Sequence, residues 1–380
     1  MNYEYPCTGR VATNGFGSYL EENLKEPRRN IVAFGKELQT KFKIPYISLV
    51  NSGSSANLVA AMCMAEKIKG KGKKLTAVVS AFTFPTTISA LIMSGFKVEF
   101  VDVDEGGFNM EVERLYELQE IPSLIVPTHF LGFPCAIQDI RHYADQNGCY
   151  LLQDGCESLD LQINGKQAFE YGDICTWSFY HPHHLSSYGG GAVITLNEAD
   201  FILCDSICHW GRLCTCHTSL GHCLAPSGPA HQFTYARLGV NAEISELNAC
   251  FGRWQLQHFA TDESIRKQHY LTLYEGLKEN KNLKLYPHPD ILGSLFVFPI
   301  TLKNGWDVSE AWSVLSSEGL EIRTLMGGVS SEQPAFSHLS DRQYKNAHTM
   351  AEHTFFVGIH QTLNDSQVAK MVEIINRCIL

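Results

Sequence analysis

The sequence predicts an α/β protein: a mostly parallel seven-stranded sheet covered by helices on both faces, with a smaller C-terminal α+β domain. Short apolar runs alternate with helical patterns from about residue 45 to 195, and strands that alternate with helices form a parallel sheet. A chain of 380 residues is long enough for a large core and a second domain. The predicted strands are 46–50, 75–80, 98–103, 123–127, 150–153, 174–179 and 192–196.

A different pattern begins near residue 243. Residues 243–279 have the periodicity of long helices, 295–302 that of a strand, and 309–317 and 367–378 that of two further helices. We therefore expect a large domain over residues 1–242 and a small one over 243–380. The segment 204–231, rich in Cys, Gly, Pro and His, is too long and irregular for a plain connection and predicts a functional loop in the large domain.

The charge balance and the hydropathy pattern exclude several classes of protein. The chain has 30 basic and 40 acidic residues, a net charge of −10, which argues against non-specific attraction to nucleic acid or anionic lipid. There is no run of 18 apolar residues and no signal-peptide pattern at the start. We expect a cytoplasmic protein with neither nucleic acid nor membrane as partner.

The cysteines indicate reduced thiols or metal ligands. There are thirteen, an odd number that a disulfide framework explains poorly in a chain without an export signal. Five lie between Cys204 and Cys223. Within that group, Cys214 and Cys216 are followed after six intervening residues by Cys223, a spacing typical of metal ligands.

Polar residues follow the first predicted strand. The motif Asn51-Ser-Gly-Ser-Ser-Ala-Asn57 opens a helix, and the free N–H groups of a helix N-terminus bind phosphate. Gly53, Ser54 and Ser55 are the candidate phosphate ligands. The alternative is a serine N-cap with a glycine turn.

Two further strand ends carry residues suited to an aromatic cofactor. Phe84, after the second strand, is suited to lie against an aromatic ring, although a core position is the alternative. Asp154 ends the strand at 150–153, where a carboxylate can pair with a protonated pyridine nitrogen. A solvated or capping aspartate is the alternative there.

The segment from Ser178 to Gly191 reads Ser-Phe-Tyr-His-Pro-His-His-Leu-Ser-Ser-Tyr-Gly-Gly-Gly. It resembles the lysine loop of a pyridoxal phosphate enzyme, with histidine where lysine is expected. A lysine amine can hold this cofactor covalently but an imidazole cannot, so the histidine is left free to move protons. A strand and a Gly-rich turn with three ordinary histidines is the alternative.

The order of phosphate turn, aromatic residue, strand-end Asp154 and this loop matches the fold-type I pyridoxal phosphate enzymes, which have the aspartate aminotransferase fold. Over nearly its whole length the chain resembles the DegT/DnrJ/EryC1/StrS superfamily of sugar aminotransferases and dehydratases. His183 takes the lysine position, as in the nucleotide-sugar 3-dehydrases, which remove the C3 hydroxyl of 4-keto-6-deoxy sugars. The motifs shared with them are 51–57, 84–87, 100–104 and His183-His184.

The resemblance implies pyridoxamine 5'-phosphate (PMP) as cofactor, His183 as acid and base, and a nucleotide-diphosphate 4-keto-6-deoxysugar as substrate. It also implies a homodimer, because the segment with Arg237 and Asn241 approaches the neighbouring subunit's site in relatives. Ser186-Ser-Tyr-Gly replaces the relatives' Thr-Met-Gly-Glu, so the substrate end of the site differs. The remaining implied ligands are Ser178 for the phosphate, Glu157 for the ring hydroxyl, and Arg323, His184 and Tyr188 for the substrate.

The cysteines resemble those of the CDP-4-keto-6-deoxyglucose 3-dehydrase branch, whose Cys-x57-Cys-x-Cys-x7-Cys pattern holds a [2Fe-2S] cluster. Here Cys156 is followed after 57 residues by Cys214, then by Cys216 and Cys223, although the last gap is six residues. The resemblance implies a separate flavin or iron-sulfur reductase that supplies electrons. The alternatives are Cys204 or Cys208 as substitute ligands, a zinc site of the same thiolates, and unligated buried cysteines.

Three rival functions remain at this point. A pyridoxal-dependent aminotransferase is disfavoured because no lysine lies between Lys166 and Lys267. A cluster-free, glutamate-dependent dehydratase of the GDP-4-keto-6-deoxymannose type is disfavoured by the cysteines, and a non-catalytic metal-binding homologue by His183 and Asp154. The sequence leaves open whether the nucleotide is CDP, dTDP or GDP.

Overall fold

The computed structural model describes residues 3–9, 13–26, 28–218, 220–288 and 295–380. Seven strands form the central sheet, in the order β1-β9-β8-β5-β4-β2-β3. Four more form a second sheet, in the order β10-β11-β13-β12, and β6 and β7 form a small hairpin. The strands are β1 (Tyr46–Val50), β2 (Thr76–Ser80), β3 (Lys97–Val101), β4 (Leu124–Val126), β5 (Tyr150–Asp154), β6 (Gln162–Ile163), β7 (Lys166–Gln167), β8 (Ile174–Ser178), β9 (Gly191–Thr195), β10 (Leu283–Leu285), β11 (Phe298–Leu302), β12 (Arg323–Thr324) and β13 (Thr354–Val357).

Helices cover both faces of the central sheet and one side of the second sheet. Among the described residues, none of them combines the length and the apolar character needed to cross a membrane. The helices are α1 (Phe16–Asn23), α2 (Arg29–Phe42), α3 (Gly53–Gly70), α4 (Pro85–Met93), α5 (Ile137–Asn147), α6 (Glu198–Cys208), α7 (Glu246–Leu256), α8 (Phe259–Leu277), α9 (Val308–Ser317), α10 (Lys345–His353) and α11 (Asp365–Cys378).

The direction of the strands brings the predicted motifs to one edge of the central sheet. β8, β5, β4, β2 and β3 are parallel neighbours, whereas β9 lies between β1 and β8 and is antiparallel to both. Gly191, the first residue of β9, therefore pairs with both Val50 and Ser178, the last residues of β1 and β8. The turn after β1, the end of β8 and the glycines before β9 consequently meet, as ligand sites do at the carboxyl ends of an open α/β sheet.

The seven predicted strands of the large sheet are all present, and their bounds differ from the prediction by at most two residues. Such strands are easy to predict because burial on both faces makes each one a continuous apolar run. α3, which lies directly against this sheet, buries Ala56, Val59, Ala60 and Met64 completely.

The C-terminal half was predicted less completely. The helical stretch 243–279 divides into α7 and α8, and the strand expected from residue 295 begins at Phe298. β12, β13, α10 and the N-terminal helices α1 and α2 were not predicted. Glu4 and Tyr5 donate backbone hydrogen bonds to the carbonyl of Gly319 at 3.0 and 3.1 Å, so the N-terminal segment contacts the small domain. The boundary at residue 242 stays a prediction.

Candidate active site

A cavity of about 830 Å³ lies between the edge of the central sheet and the second half of the chain. The structure brings nine of the predicted site residues to its wall: Gly53, Ser54, Phe84, Asp154, Cys156, Glu157, Ser178, His183 and Arg323. Residues from the second half close it, among them Arg266, Phe296, Trp312, Met326 and His360. This cavity is the candidate active site.

The N-terminus of α3 forms one end of the cavity. Ser52 caps the helix, since its hydroxyl accepts a hydrogen bond from the backbone N–H of Ser55 at 3.0 Å. A Cβ added to Gly53 would lie 2.7 Å from the Cβ of Ser178, so only glycine fits this close approach. The exposed amides at this end, beside the Ser54 and Ser178 hydroxyls, fit a phosphate group. Ser55 is not among the residues that line the cavity.

Asp154 is held in one orientation by three donors. Its Oδ2 accepts hydrogen bonds from the Thr87 hydroxyl at 2.5 Å and the Asn57 side-chain amide at 3.1 Å, and its Oδ1 accepts from the backbone N–H of Cys156 at 3.1 Å. Thr176 in turn donates to Asn57 at 2.6 Å. Asn57 and Thr87 lie within the predicted motifs at 51–57 and 84–87, but sequence reasoning assigned them no role.

Phe84 lies on the wall of the cavity with 47% of its surface exposed. It directly precedes α4, whose first residue is Pro85. An aromatic face that is half exposed inside a cavity is available to stack on a ring. The core position that was the alternative for Phe84 is therefore not what the structure has.

His183 contributes its ring to the cavity. The ring stacks on Phe296, with centroids 4.9 Å apart and planes 19° from parallel. Burial and, to a smaller extent, the positive charge of Arg266 lower the pKa of His183 to about 4, although a hydrogen bond with the backbone of Cys156 opposes the shift. The imidazole is therefore neutral at pH 7 and can accept a proton.

Sequence reasoning missed Arg266, a buried residue of α8. It lines the cavity and donates a hydrogen bond from Nη1 to the carbonyl of Phe296 at 3.1 Å, and its Nε has no hydrogen-bond partner among the described residues. An arginine inside a helical pattern carries no local signal of function. Only the packing of α8 against the cavity shows that its charge acts on His183.

Replacing Arg266 by methionine will raise the pH at which activity is lost on acidification. The guanidinium charge disfavours the imidazolium form of His183, so its removal raises the His183 pKa from about 4 part of the way to the usual 6.5. In a plot of kcat/KM against pH, the loss of activity on the acid side should therefore occur at a higher pH. Lys267→Met, which removes a charge from the next residue outside the cavity, is the control. An unchanged acid limb in Arg266→Met would contradict the coupling.

Glu157 lies at the end of the cavity near β5. Its Oε2 accepts a hydrogen bond from the backbone N–H of Leu131 at 2.6 Å. Burial raises the pKa of Glu157 to about 8, although the Leu131 bond lowers it, and the neighbouring charge of Asp154 adds to the increase. The carboxyl group is therefore protonated at neutral pH and can donate a hydrogen bond into the cavity.

Replacing Glu157 by glutamine will change how the stability of the cofactor-free protein depends on pH. The folded-state pKa is about 8 and the usual value 4.5, so wild-type stability falls as pH rises from 4.5 to 8, by up to about 1.4 kcal/mol per pH unit. The neutral amide escapes this loss. Urea unfolding at pH 6 and pH 8.5 measures the free energy of unfolding. Relative to wild type, this free energy should be higher for the variant at pH 8.5 than at pH 6. Glu279→Gln, on the surface, should show no such gain, and equal behaviour of the two would refute the raised pKa.

The predicted substrate-binding residues divide between the cavity and its surroundings. Arg323 lines the cavity and pairs with Glu321 at 2.8 Å, and its contact with the substrate stays a prediction. His184 is buried and Tyr188 is exposed with its ring 4.5 Å from that of Phe251. Neither is among the cavity-lining residues, and their role stays a prediction.

The predicted metal ligands are not all brought together. The ligand atoms of Cys214, Cys216, Cys223 and His231 all lie within 4.8 Å of one another. Cys156 is not in this group; it lies in the cavity wall, where its Sγ would be 3.1 Å from a Cβ at Gly53. Within one chain, His231 and not Cys156 lies with the three cysteines, and the expected ligand set stays a prediction. Cys204 and Cys208, the suggested substitutes, are buried in α6 outside the group.

A second cluster lies beside this group, at Asp205, His209 and His217. His217 is 2.8 Å from Asp205, and His209 is 3.1 Å from Glu243. Burial lowers the pKa of His209, but Asp205 and Glu243 outweigh it and raise the pKa to about 10. A protonated imidazole has no free lone pair for a metal. The cluster is therefore an ion-pair network that ties residue 217 to α6.

Comparisons with known proteins agree with this geometry. The dTDP-4-dehydro-2,6-dideoxy-D-glucose 3-dehydratase of Saccharopolyspora spinosa is 29% identical over 364 residues, 90% of this chain and 79% of that protein. The lipopolysaccharide biosynthesis protein RfbH of Salmonella typhimurium is 30% identical over 363 residues, 90% of this chain and 83% of that protein. The crystal structure of GDP-4-keto-6-deoxymannose-3-dehydratase (ColD) with bound GDP-perosamine has a TM-score of 0.88 at 22% identity, covering 98% of this chain and 100% of that one.

The likeness in fold confirms the fold-type I architecture predicted from the order of the motifs. The sequence model of the DegT/DnrJ/EryC1/StrS aminotransferase family matches residues 18–376, which is nearly the whole chain. This range includes every residue that lines the cavity except Cys7 and Thr8. The predicted resemblance is therefore confirmed. The chain belongs to the DegT/DnrJ/EryC1/StrS aminotransferase family.

Proposed function

We propose that this protein is an enzyme that removes the C3 hydroxyl from a nucleotide-linked 4-keto-6-deoxyhexose, with PMP as cofactor and His183 as acid and base. The observation that carries the proposal is a neutral histidine, not a lysine, in the cavity that Asp154 also lines. No lysine is among the described residues that line the cavity. The cofactor would therefore be held without a covalent bond, which suits dehydration rather than transamination.

The residues present fit this cofactor. The N-terminus of α3 with Ser54 and Ser178 would hold the phosphate, Phe84 would lie against the ring, and Asp154 would pair with the ring nitrogen. Glu157, protonated at neutral pH, would donate to the ring oxygen. The cavity residues Arg323 and Arg266 supply positive charge for a diphosphate.

When bound, PMP would supply the amine that condenses with the C4 ketone and an aromatic ring that accepts electrons. His183, neutral because of burial and Arg266, takes up a proton and can return it to the departing C3 oxygen, which leaves as water. Asp154 favours a proton on its ring partner, since three fixed donors keep its carboxylate in place. Phe296 packs against the imidazole and keeps water from that face.

Replacing a C3 hydroxyl by hydrogen consumes two electrons and two protons and releases water, so the reaction needs a reductant. We propose that a separate reductase supplies both electrons, as the resemblance implies. The [2Fe-2S] centre that the resemblance also implies divides four ligands between two irons, whereas the three thiolates and the imidazole at 214–231 all lie within 4.8 Å of one another and fit a single ion. The names of the relatives from Saccharopolyspora and Salmonella support a 3-dehydration in deoxysugar or lipopolysaccharide biosynthesis.

The second candidate is a cluster-free, glutamate-dependent 3-dehydratase. It is favoured by the structural likeness to ColD. In that reaction glutamate would restore the amine and ammonia would be released, so no external electrons enter. The cysteine group at 214–231 has no role in this glutamate-dependent reaction.

We also propose a homodimer, in which residues 233–241 contact the partner. Three large apolar side chains of this segment are exposed: Leu238 by 87%, Phe233 by 64% and Tyr235 by 53%. Exposed apolar residues grouped in this way mark an interface. Sedimentation velocity should give about twice the 42.5 kDa chain mass, and Leu238→Lys should weaken the dimer.

The reaction itself can be tested with 4-keto-6-deoxyhexoses carrying CDP, dTDP or GDP. Anaerobically purified protein with PMP and dithionite should convert one of them to its 3-deoxy product, detected by mass spectrometry, without glutamate. Conversion that needs glutamate and releases ammonia would instead establish the second candidate. Failure with all three nucleotides under both conditions would overturn the proposed function.

A further inference from the structure

The sulfur atoms of three cysteines surround one ring nitrogen of His231. The Nε2 of His231 lies 3.3 Å from the Sγ of Cys214, 3.2 Å from that of Cys216 and 3.4 Å from that of Cys223. In a tetrahedral site with metal–sulfur bonds of about 2.3 Å and metal–nitrogen bonds of about 2.0 Å, the sulfur–nitrogen edges measure about 3.5 Å. The four atoms are thus placed almost as the corners of one metal tetrahedron.

The other ring nitrogen of His231 is also engaged. Nδ1 lies 2.9 Å from the backbone carbonyl of Pro226, and a carbonyl can only accept, so Nδ1 carries the proton. The lone pair of Nε2 is then free and faces the three sulfurs. A backbone carbonyl on the far nitrogen is the usual second partner of a histidine that binds a metal.

Hydrogen bonding alone explains this geometry poorly. A single lone pair can accept one hydrogen bond from one thiol, yet three sulfurs lie at nearly equal distances from it. The other two sulfurs would then lie just as close to Nε2 without a hydrogen bond to it. A shared cation bound to three thiolates accounts for all four positions.

The loop holds these residues through its own backbone contacts. The backbone N–H of Thr215 donates to the Sγ of Cys223 at 3.4 Å, and the Thr215 hydroxyl donates to the carbonyl of His222 at 2.7 Å. His217 ties the same loop to Asp205 in α6. All four candidate ligands therefore come from residues 214–231 of one chain, and none of them lines the cavity.

We propose that His231 is the fourth ligand of a tetrahedral metal site with Cys214, Cys216 and Cys223, and that Cys156 is not a ligand. The metal is a single ion, and Zn²⁺ is the one that three thiolates and an imidazole bind as a closed tetrahedral site. A [2Fe-2S] cluster does not fit these positions, because it divides its four ligands between two irons and spreads them beyond the corners of one tetrahedron. Cys156 is left free in the cavity wall.

The test compares five anaerobically purified proteins: wild type, His231→Ala, His231→Cys, Cys156→Ser and, as control, His222→Ala. His222 is an exposed histidine of the same loop that pairs with Glu198 and not with the cysteines. For each protein, iron, sulfide and zinc per chain are measured before and after a chelator. Pulsed electron paramagnetic resonance of the reduced protein, or X-ray absorption if the metal is zinc, then detects a nitrogen ligand.

We expect Cys156→Ser and His222→Ala to keep the wild-type metal content and the nitrogen signal. His231→Ala should lose most of its metal to the chelator, while His231→Cys should keep metal, lose the nitrogen signal and, with iron, have a lower reduction potential. Metal loss in Cys156→Ser together with retention in His231→Ala would overturn the proposal, as would a nitrogen signal that persists in His231→Cys. Two irons and two sulfides per chain would likewise overturn the single-ion site.

Discussion

Replacing His183 by asparagine should lower kcat by about 10²- to 10⁴-fold, the usual contribution of a general acid–base group. Asparagine is close to histidine in size and keeps a polar group at the cavity wall, but it cannot take up and return a proton. PMP binding should change little, because the phosphate cradle at Gly53 and Ser178 and the carboxylate of Asp154 lie on other elements. Single-turnover assays with saturating PMP measure the loss directly.

The matched control is His181→Asn, two residues earlier in the same loop and outside the residues that line the cavity. It should keep wild-type turnover. A His183→Asn protein with near-normal kcat would exclude the acid–base role. His183→Lys gives a complementary test. After treatment with pyridoxal phosphate and borohydride, this variant alone should carry the cofactor covalently, and mass spectrometry of the whole chain should show the added mass.

Replacing Asp154 by asparagine should lower kcat by about 10²- to 10³-fold, the range seen when one fixed electrostatic partner of a reacting group is lost. A neutral amide does not favour a proton on the ring nitrogen, so the ring accepts electrons less well. The NH₂ group of the new side chain can also face the Asn57 amide and the Thr87 hydroxyl, which donate hydrogen bonds to the carboxylate in the wild type. PMP affinity should fall as well, and fluorescence titration measures it beside kcat.

Two variants separate this effect from a general loss of structure. Asp104→Asn changes an exposed aspartate that follows β3, outside the cavity, and should leave kcat unchanged. Thr87→Val removes one donor but keeps the Asp154 carboxylate, so its loss should be smaller than that of Asp154→Asn. If Thr87→Val and Asp154→Asn were equally impaired, the charge of Asp154 would not be the cause.

The sequence predicted the central sheet and the residues at its edge well. Each strand of the sheet is a local apolar run, and the phosphate turn, Phe84, Asp154 and His183 lie at the end of a strand or within five residues after it. Because the carboxyl ends of parallel strands share one edge, their proximity follows from the topology alone. The β12 and β13 strands and the helix α10 were missed because short, partly exposed elements carry weak periodic signals.

The cysteine pattern shows the limit of spacing as a guide. The 57-residue interval predicted Cys156 as a ligand, but spacing says nothing about where the side chains point. Cys156, two residues after the end of β5, lies in the wall of the cavity. The irregular loop instead folds back on itself and brings His231 to Cys214, Cys216 and Cys223. A histidine fifteen residues beyond Cys216 stood in no pattern that the sequence reading recognised.

By itself the sequence determined the fold class, the family and the exchange of lysine for histidine at position 183, because each depends on residues adjacent in the chain. Only the tertiary structure decided the environment of that histidine: Arg266 and Phe296 come from α8 and from the segment before β11, about 80 and 110 residues later in the chain. A pKa depends on burial and on charges a few ångströms away, whatever their distance in sequence. For the same reason the proximity of His231 to the three cysteines became visible only once the loop was folded.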